Sequence, residues 1–179
     1  MRPEKRADFM TTIRNARKDD VAALAQIGLR AWEQAAMGVA DLEALRENAR
    51  TAFLQFLAAN WVTVTVAESG GYLAGWAARE RMDEEITDLW VDPAMQRRGV
   101  GTALLAAIED EMRRSGIESA DLQTHARNAP ALAFFRKHGY AVNWLSVTYS
   151  PRLDRDVESV GMRRQFVEDR SVGYGPGGF

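Results

Sequence analysis

A chain of 179 residues, 46% of them apolar and with a formal net charge of −2, has the make-up of one globular domain. It carries no global basic field to draw it onto nucleic acid or a membrane surface. With no cysteine and only two histidines, His125 and His138, it excludes disulfides, thiolate metal sites and a cysteine nucleophile, and a histidine-built zinc centre is not expected. No apolar run approaches the roughly 20 residues of a membrane-spanning helix. The charged start, Met1–Arg6, is not followed by a signal-type apolar stretch, so a cytoplasmic location is expected.

In chain order, residues 1–10 are polar and read as a disordered leader. Thr11–Arg14 reads as a short strand. Asp19 or Asp20 then caps a helix whose apolar stripe is Val21, Leu24, Ala25 and Leu29. Gly28 weakens the end of that helix, and Trp32 to Ala40 is either its extension or a loop. Asp41 opens a second helix through Leu42, Leu45, Ala49, Phe53, Phe56 and Leu57. The β-branched, alternating run Trp61–Glu68 is the strongest strand signal, turned by Ser69-Gly70-Gly71 into a return strand, Tyr72 to Arg81. After a turn at Met82-Asp83, Glu84 to Val91 reads as a further strand.

That strand ends at Asp92-Pro93, because proline has no N–H for a ladder. The following loop is basic and punctuated by glycine: Gln96-Arg97-Arg98-Gly99-Val100-Gly101-Thr102. A helix begins at about Gly101 and runs to about Ser115, with Leu104, Leu105, Ile108 and Met112 on one face. Unpaired N–H groups at a helix start, flanked by two arginines, suit an anion such as a pyrophosphate. The loop lacks the lysine of a P-loop and the third glycine of a dinucleotide fingerprint. Downstream, Ser119 to Thr124 is a strand, and Arg127-Asn128 leads into a helix with Leu132, Phe134 and Phe135 that closes at His138-Gly139. Tyr140 to Thr148 is a strand, Ser150 to Asp156 a charged loop, Glu158 to Val167 the last strand, and residues 169–179 a flexible glycine-rich tail. Residues 11–168 form a single domain in this reading.

Two segments together resemble the acetyl-CoA signature of the GNAT superfamily of N-acyltransferases. They are Val91-Asp92-Pro93 with Gln96-Arg97-Arg98-Gly99-Val100-Gly101, and Asn128-Ala129-Pro130-Ala131 with Phe134-Phe135-Arg136-Lys137-His138-Gly139-Tyr140. The resemblance implies an α/β fold: a GNAT-like mixed, mostly antiparallel sheet of six to seven strands flanked by four helices, with two splayed parallel strands at the centre. It implies an N-acetyltransferase acting on a primary amine, with acetyl-CoA as co-substrate and no metal. The first two helices and the loop between them would then border the acceptor pocket. A small-molecule or peptide amine is the implied partner, a homodimer is compatible with it, and nucleic acid or membrane partners are not implied. The alternative is a non-catalytic acyl-CoA-binding sensor on the same fold.

The same resemblance assigns roles to residues. Main-chain groups of Trp90 and Val91 would pair with the pantetheine arm. Gln96, Arg97, Arg98, Gly99, Val100, Gly101 and Thr102 would hold the pyrophosphate, and Asn128 would bond the pantetheine. An amine attacks only when neutral, so a base is needed. Glu85, six residues before Val91, is the first candidate and Asp88 the second. On a regular strand these two acids face opposite sides, so they share a pocket only if a bulge intervenes. The position where the family often carries a tyrosine acid is Phe135, whose ring cannot donate a proton. Departure of the thiolate would then fall to water, to His125 or Tyr140, or to no acid. The acids Glu33, Asp41, Glu43 and Glu47 suggest a cationic acceptor or else a solvated helix face.

Overall fold

A computed structural model describes residues 10–38 and 41–166. The leader and tail expected at residues 1–10 and 169–179 therefore fall almost wholly outside the described residues. Seven strands and four α-helices follow in the order β1 (Thr11–Asn15), α1 (Val21–Ala35), α2 (Leu42–Asn60), β2 (Val64–Ser69), β3 (Tyr72–Ala78), β4 (Asp88–Val91), α3 (Val100–Arg114), β5 (Ser119–His125), α4 (Ala129–Lys137), β6 (Ala141–Ser150) and β7 (Arg155–Gln165). Every paired ladder is antiparallel.

The strands form two sheets, ordered β1-β2-β3-β4 and β5-β7-β6. They share main-chain hydrogen bonds at a single parallel bridge, Glu85 with Asp121. There Ile86 N–H donates to Asp121 O and Asp121 N–H to Glu84 O, both at 2.8 Å. The resemblance implied two splayed parallel strands at the centre; among the described residues the parallel contact is this one bridge, beyond which β4 and β5 do not pair.

Two apolar clusters hold the sheets. One joins α1 and α2 to Val64, Val66, Trp76 and Leu153, and the other joins α3 and α4 to Ala77, Ile86, Leu122 and Met162. The helix pair α1–α2 closes tightly because Gly28 leaves its place to the Phe53 ring, which a Cβ would meet at 2.8 Å. Phe53 in turn packs edge-on against Trp76 and Trp90, at ring-centroid distances of 6.1 and 5.3 Å.

Several local readings shift. The ambiguous stretch after Trp32 continues α1 to Ala35, whereas residues 61–63 form a 3-10 turn rather than the start of β2. Asp20 does not cap α1 with its side chain; its carboxylate accepts from Arg17 N–H and from Arg14. The return strand stops at Ala78, and β7 begins at Arg155, three residues earlier than the pattern of Glu158 onward suggested.

Candidate active site

The strand β4 leaves its outer edge open. Its register with β3 pairs Val91 with Gly75 and Trp90 with Trp76, and Asp92 N–H donates to Ala74 O at 2.9 Å. In an antiparallel pair such bonds recur at every second residue. Trp90 and Asp88 therefore direct their main-chain groups to β3, and Leu89 and Val91 direct theirs to the opening between the sheets. This corrects the expectation for Trp90, whose main chain is turned away from the cleft. Leu89, with Val91, presents its main-chain groups to the opening instead, and counting alternation back from Pro93 finds it.

Across that opening stands the start of α3. Gly99 caps it in the left-handed region at φ 79°, and Ala103 N–H is the first to reach back, to Gly99 O at 3.0 Å. The N–H groups of Val100, Gly101 and Thr102 precede that first intrahelical bond and point outward with the positive end of the helix dipole. Gly101 packs against Phe134, which a Cβ would meet at 3.3 Å. Arg97, Arg98 and Gly99 are exposed, and Arg97 itself sits at φ 64°. The loop is braced from α1, one turn apart: Arg30 donates to Asp92 at 2.5 Å, and Gln96 donates to Gln34 at 2.8 Å. Sequence reading did not anticipate that brace, although Arg30 and Gln34 lie at i, i+4 on one helix face.

Asn128 caps α4, accepting from Ala131 N–H at 3.3 Å and donating to Thr124 Oγ1 at 3.2 Å. Phe135 lies buried against Phe134 and Tyr140. Tyr140 donates to the buried carboxylate of Glu109 at 2.8 Å, and Arg164 pairs with that carboxylate at 2.7 Å. These groups are fully engaged inside the second apolar cluster.

The two candidate bases sit in different surroundings. Ile86, Leu89 and Val91 pack toward α3, whereas Trp90 packs toward α1 and α2. Strict alternation would put Ile86 with Trp90, so one extra residue intervenes. Thr87 N–H donates to Ala78 O at 3.0 Å although Asp88 is also Ala78's ladder partner; two residues oppose one, which is a β-bulge. The bulge turns Glu85 to the same side as Asp88.

They do not share a pocket. Asp88 is buried, accepts from Trp90 Nε1 at 2.8 Å and is paired with Arg152 at 3.1 Å. Burial raises its pKa despite both partners. Glu85 instead lines a polar cavity of about 360 Å³ with Asp83, Gln123, Asn143, Trp144 and Arg163. Its pKa is also raised, by partial burial and then by the neighbouring Asp83 carboxylate. Asp121, on the same wall, is held by a bidentate pair with Arg163 at 2.6 Å.

Three of the four acids suggested for a cationic acceptor have partners within the fold, and the fourth, Glu43, is exposed on α2. Glu33 is paired with Arg46, Glu47 with Arg50, and Asp41 caps α2 through Glu43 N–H. Among the described residues, no three histidine, aspartate or glutamate side chains gather as a metal site, and no helix is long and apolar enough to cross a membrane.

Comparison with known proteins agrees with this arrangement. The family model described as "Acetyltransferase (GNAT) family" matches residues 26–140. The chain is 39% identical over 84 residues to mycothiol acetyltransferase of Clavibacter michiganensis, covering 46% of this chain and 28% of that protein. It is 31% identical over 94 residues to the ribosomal protein bS18-alanine N-acetyltransferase of Escherichia coli, covering 51% of this chain and 64% of that protein. The chain thus spans less than two thirds of either relative. In fold it resembles the PaiA N-acetyltransferase of Thermoplasma acidophilum in complex with coenzyme A, with a TM-score of 0.73, 20% identity, and coverage of 87% of this chain and 99% of that one. It also resembles YncA of Salmonella typhimurium with acetyl-CoA, with a TM-score of 0.64, 24% identity, and coverage of 89% and 95%.

Proposed function

The chain belongs to the acetyltransferase (GNAT) family, and from that premise we propose that it transfers an acetyl group from acetyl-CoA to a primary amine by direct attack. The observation that carries this reading is the wedge between β4 and β5: a strand edge with unpaired amides, leading to the bare N-terminus of α3. Leu89 and Val91 would pair with the pantetheine amides as an added strand pairs with a sheet edge. Val100, Gly101 and Thr102 would hold the diphosphate through their N–H groups, with Arg97 and Arg98 adding charge. Gln96 positions this loop, and Asn128 contributes from the start of α4. Bound acetyl-CoA supplies an activated acyl group; the chain's own residues orient it and manage the protons.

Glu85 is the proposed base. It faces a cavity, its carboxyl is shifted upward toward the useful range, and no arginine is paired with it. Asp88, sealed beneath Arg152, is assigned to the scaffold. The cavity beside Glu85 holds Asp83 and Glu84 as well, which favours a cationic acceptor, either a small amine or a peptide N-terminus. Phe135, at the position where the resemblance places a tyrosine, contributes a ring to the interior. A single catalytic domain over residues 11–168, a cytoplasmic setting and a homodimer belong to the same proposal, the last two tested by fractionation and light scattering.

Titration calorimetry with acetyl-CoA, followed by an amine panel scored by free-thiol release, tests the reading. Saturable binding and thiol release on at least one amine support it. Binding with no thiol release on any amine would identify an acyl-CoA sensor instead.

A further inference from the structure

His125 ends β5, and both of its ring nitrogens are enclosed without a hydrogen-bond partner. An enclosed imidazole that bonds to nothing in its own fold is uncommon. The ring also lies in a telling place. Asp121, Gln123 and His125 alternate on one face of β5, and the first two line the cavity that contains Glu85. From the parallel bridge at Glu85 and Asp121, both strands run the same way, and four residues on, ~13 Å along, His125 stands across the wedge from the open edge at Leu89 and Val91. Its ring reaches the end of α1, where the Ala35 carbonyl favours the protonated form without meeting hydrogen-bond geometry. A β5 side chain that comes this close to α1, which packs on β3 and β4, spans the mouth between the sheets.

Other groups able to handle a proton nearby have partners of their own. Phe135 has no hydroxyl. Tyr140 is bonded to Glu109 inside the core. Asp121 is held by Arg163, Asp88 by Arg152, and Glu33 on α1 is paired with Arg46. Glu85, with Asp83 and Glu84 beside it, lines the cavity without an ionic partner among the described residues, and His125 is the one imidazole on this side of β5.

Resting on the acetyl-transfer reading, we propose that His125 is a second catalytic residue, which relays the amine's remaining proton to the departing sulfur. The acceptor arrives as an ammonium ion and gives its first proton, through water, to Glu85 and thence to solvent. The amine lone pair then forms the C–N bond to the acetyl carbonyl carbon. As the C–S bond breaks, its electron pair stays on sulfur. His125 takes a proton from the nitrogen on one side of the wedge and returns it to the thiolate, so that amide and free thiol form and the imidazole ends unchanged. Burial lowers the pKa of this ring, so it is neutral and ready to accept when the step begins.

The test begins with the wild-type chain, acetyl-CoA and the best amine of the panel. If no amine releases thiol, the acetyl-transfer reading fails and this proposal falls with it. With turnover established, His125→Ala and His125→Gln are compared with wild type. A loss of about 100-fold in kcat is expected, with KM for both substrates and coenzyme A affinity nearly unchanged, and with free imidazole restoring part of the rate in His125→Ala. The thermal midpoint should hold, since the ring nitrogens bond to nothing in the fold. Retention of kcat within about threefold in either variant, or a loss confined to acceptor KM, would overturn the proposal and leave His125 as a pocket wall.

Discussion

Arg152, in the β6–β7 turn, reaches 64 positions back along the sequence to bond Asp88 on β4, its Nη2 lying 3.1 Å from Oδ1. Its guanidinium also lies over the Phe53 ring at 4.3 Å and near Trp90 at 5.4 Å. Asn48 of α2 fastens the same turn by donating to Pro151 O at 2.9 Å. The turn is thereby tied to both the α1–α2 pair and β4.

Truncating Arg152 to alanine removes the partner of a buried carboxylate and the cover of an aromatic ring. We expect Arg152→Ala to cost about 3 kcal/mol, because an unpaired buried charge is dearer than an absent pair. Adding Asp88→Asn should recover part of that loss. Urea unfolding of both single variants and the double variant measures the coupling; additive losses would show that the pair is not coupled.

The upward shift at Glu85 has a definite sign. A base works only when ionised, so activity is lost as pH falls through its pKa. Burial and Asp83 raise that pKa, so the acid limb of kcat/KM should lie above the ordinary glutamate value of about 4.3. Glu85→Gln should abolish this limb and lower kcat by about 100-fold while leaving coenzyme A binding intact. A pH–rate profile of both proteins checks this, and Asp88→Asn should keep the limb in place.

Gly99 and Gly116 share a left-handed backbone, at φ 79° and 78°, and neither has a neighbour within 4 Å of an added Cβ. Alanine at either position should cost about 1–2 kcal/mol of backbone strain. Only Gly99→Ala should also weaken coenzyme A binding, because Gly99 sets the direction of the α3 amides. Thermal melts and titration calorimetry on the two variants separate strain from binding.

Gly161 on β7 lies beneath the Trp144 indole, and an added Cβ would sit 2.0 Å from its Nε1. Gly161→Ala must push that indole aside, at a cost of about 1–3 kcal/mol, and reshape the cavity beside Glu85. Acceptor KM should rise with coenzyme A affinity unchanged. Steady-state kinetics checks this, and Trp144→Leu in the same chain should restore stability.

Much of this was legible where one local rule governs. The apolar stripe from Val21 to Leu29, the Asp92-Pro93 stop and the helix that follows Asn128 all report on neighbours a few residues away. What stayed hidden depends on distant partners. Alternation set Glu85 and Asp88 on opposite faces, and the bulge at Thr87 that reverses this is visible only through Ala78. Nothing near Asp88 in sequence announces Arg152. Glu33 looked available because its partner Arg46 is matched only once α1 and α2 pack. Leu89 was within reach of a parity count but requires knowing which edge of β4 is covered.

The lone stitch between Glu85 and Asp121 makes the molecule a pair of leaves joined at the spine. Because the leaves share so little main chain, side chains join them as well: the second apolar cluster between them, and at the far rim the β6–β7 turn, tied by Arg152 to β4 and by Asn48 to α2. Descendants of such a chain can exchange residues of the open side while the spine and the start of α3 stay as they are. A scaffold of this kind lets recognition diversify without disturbing chemistry.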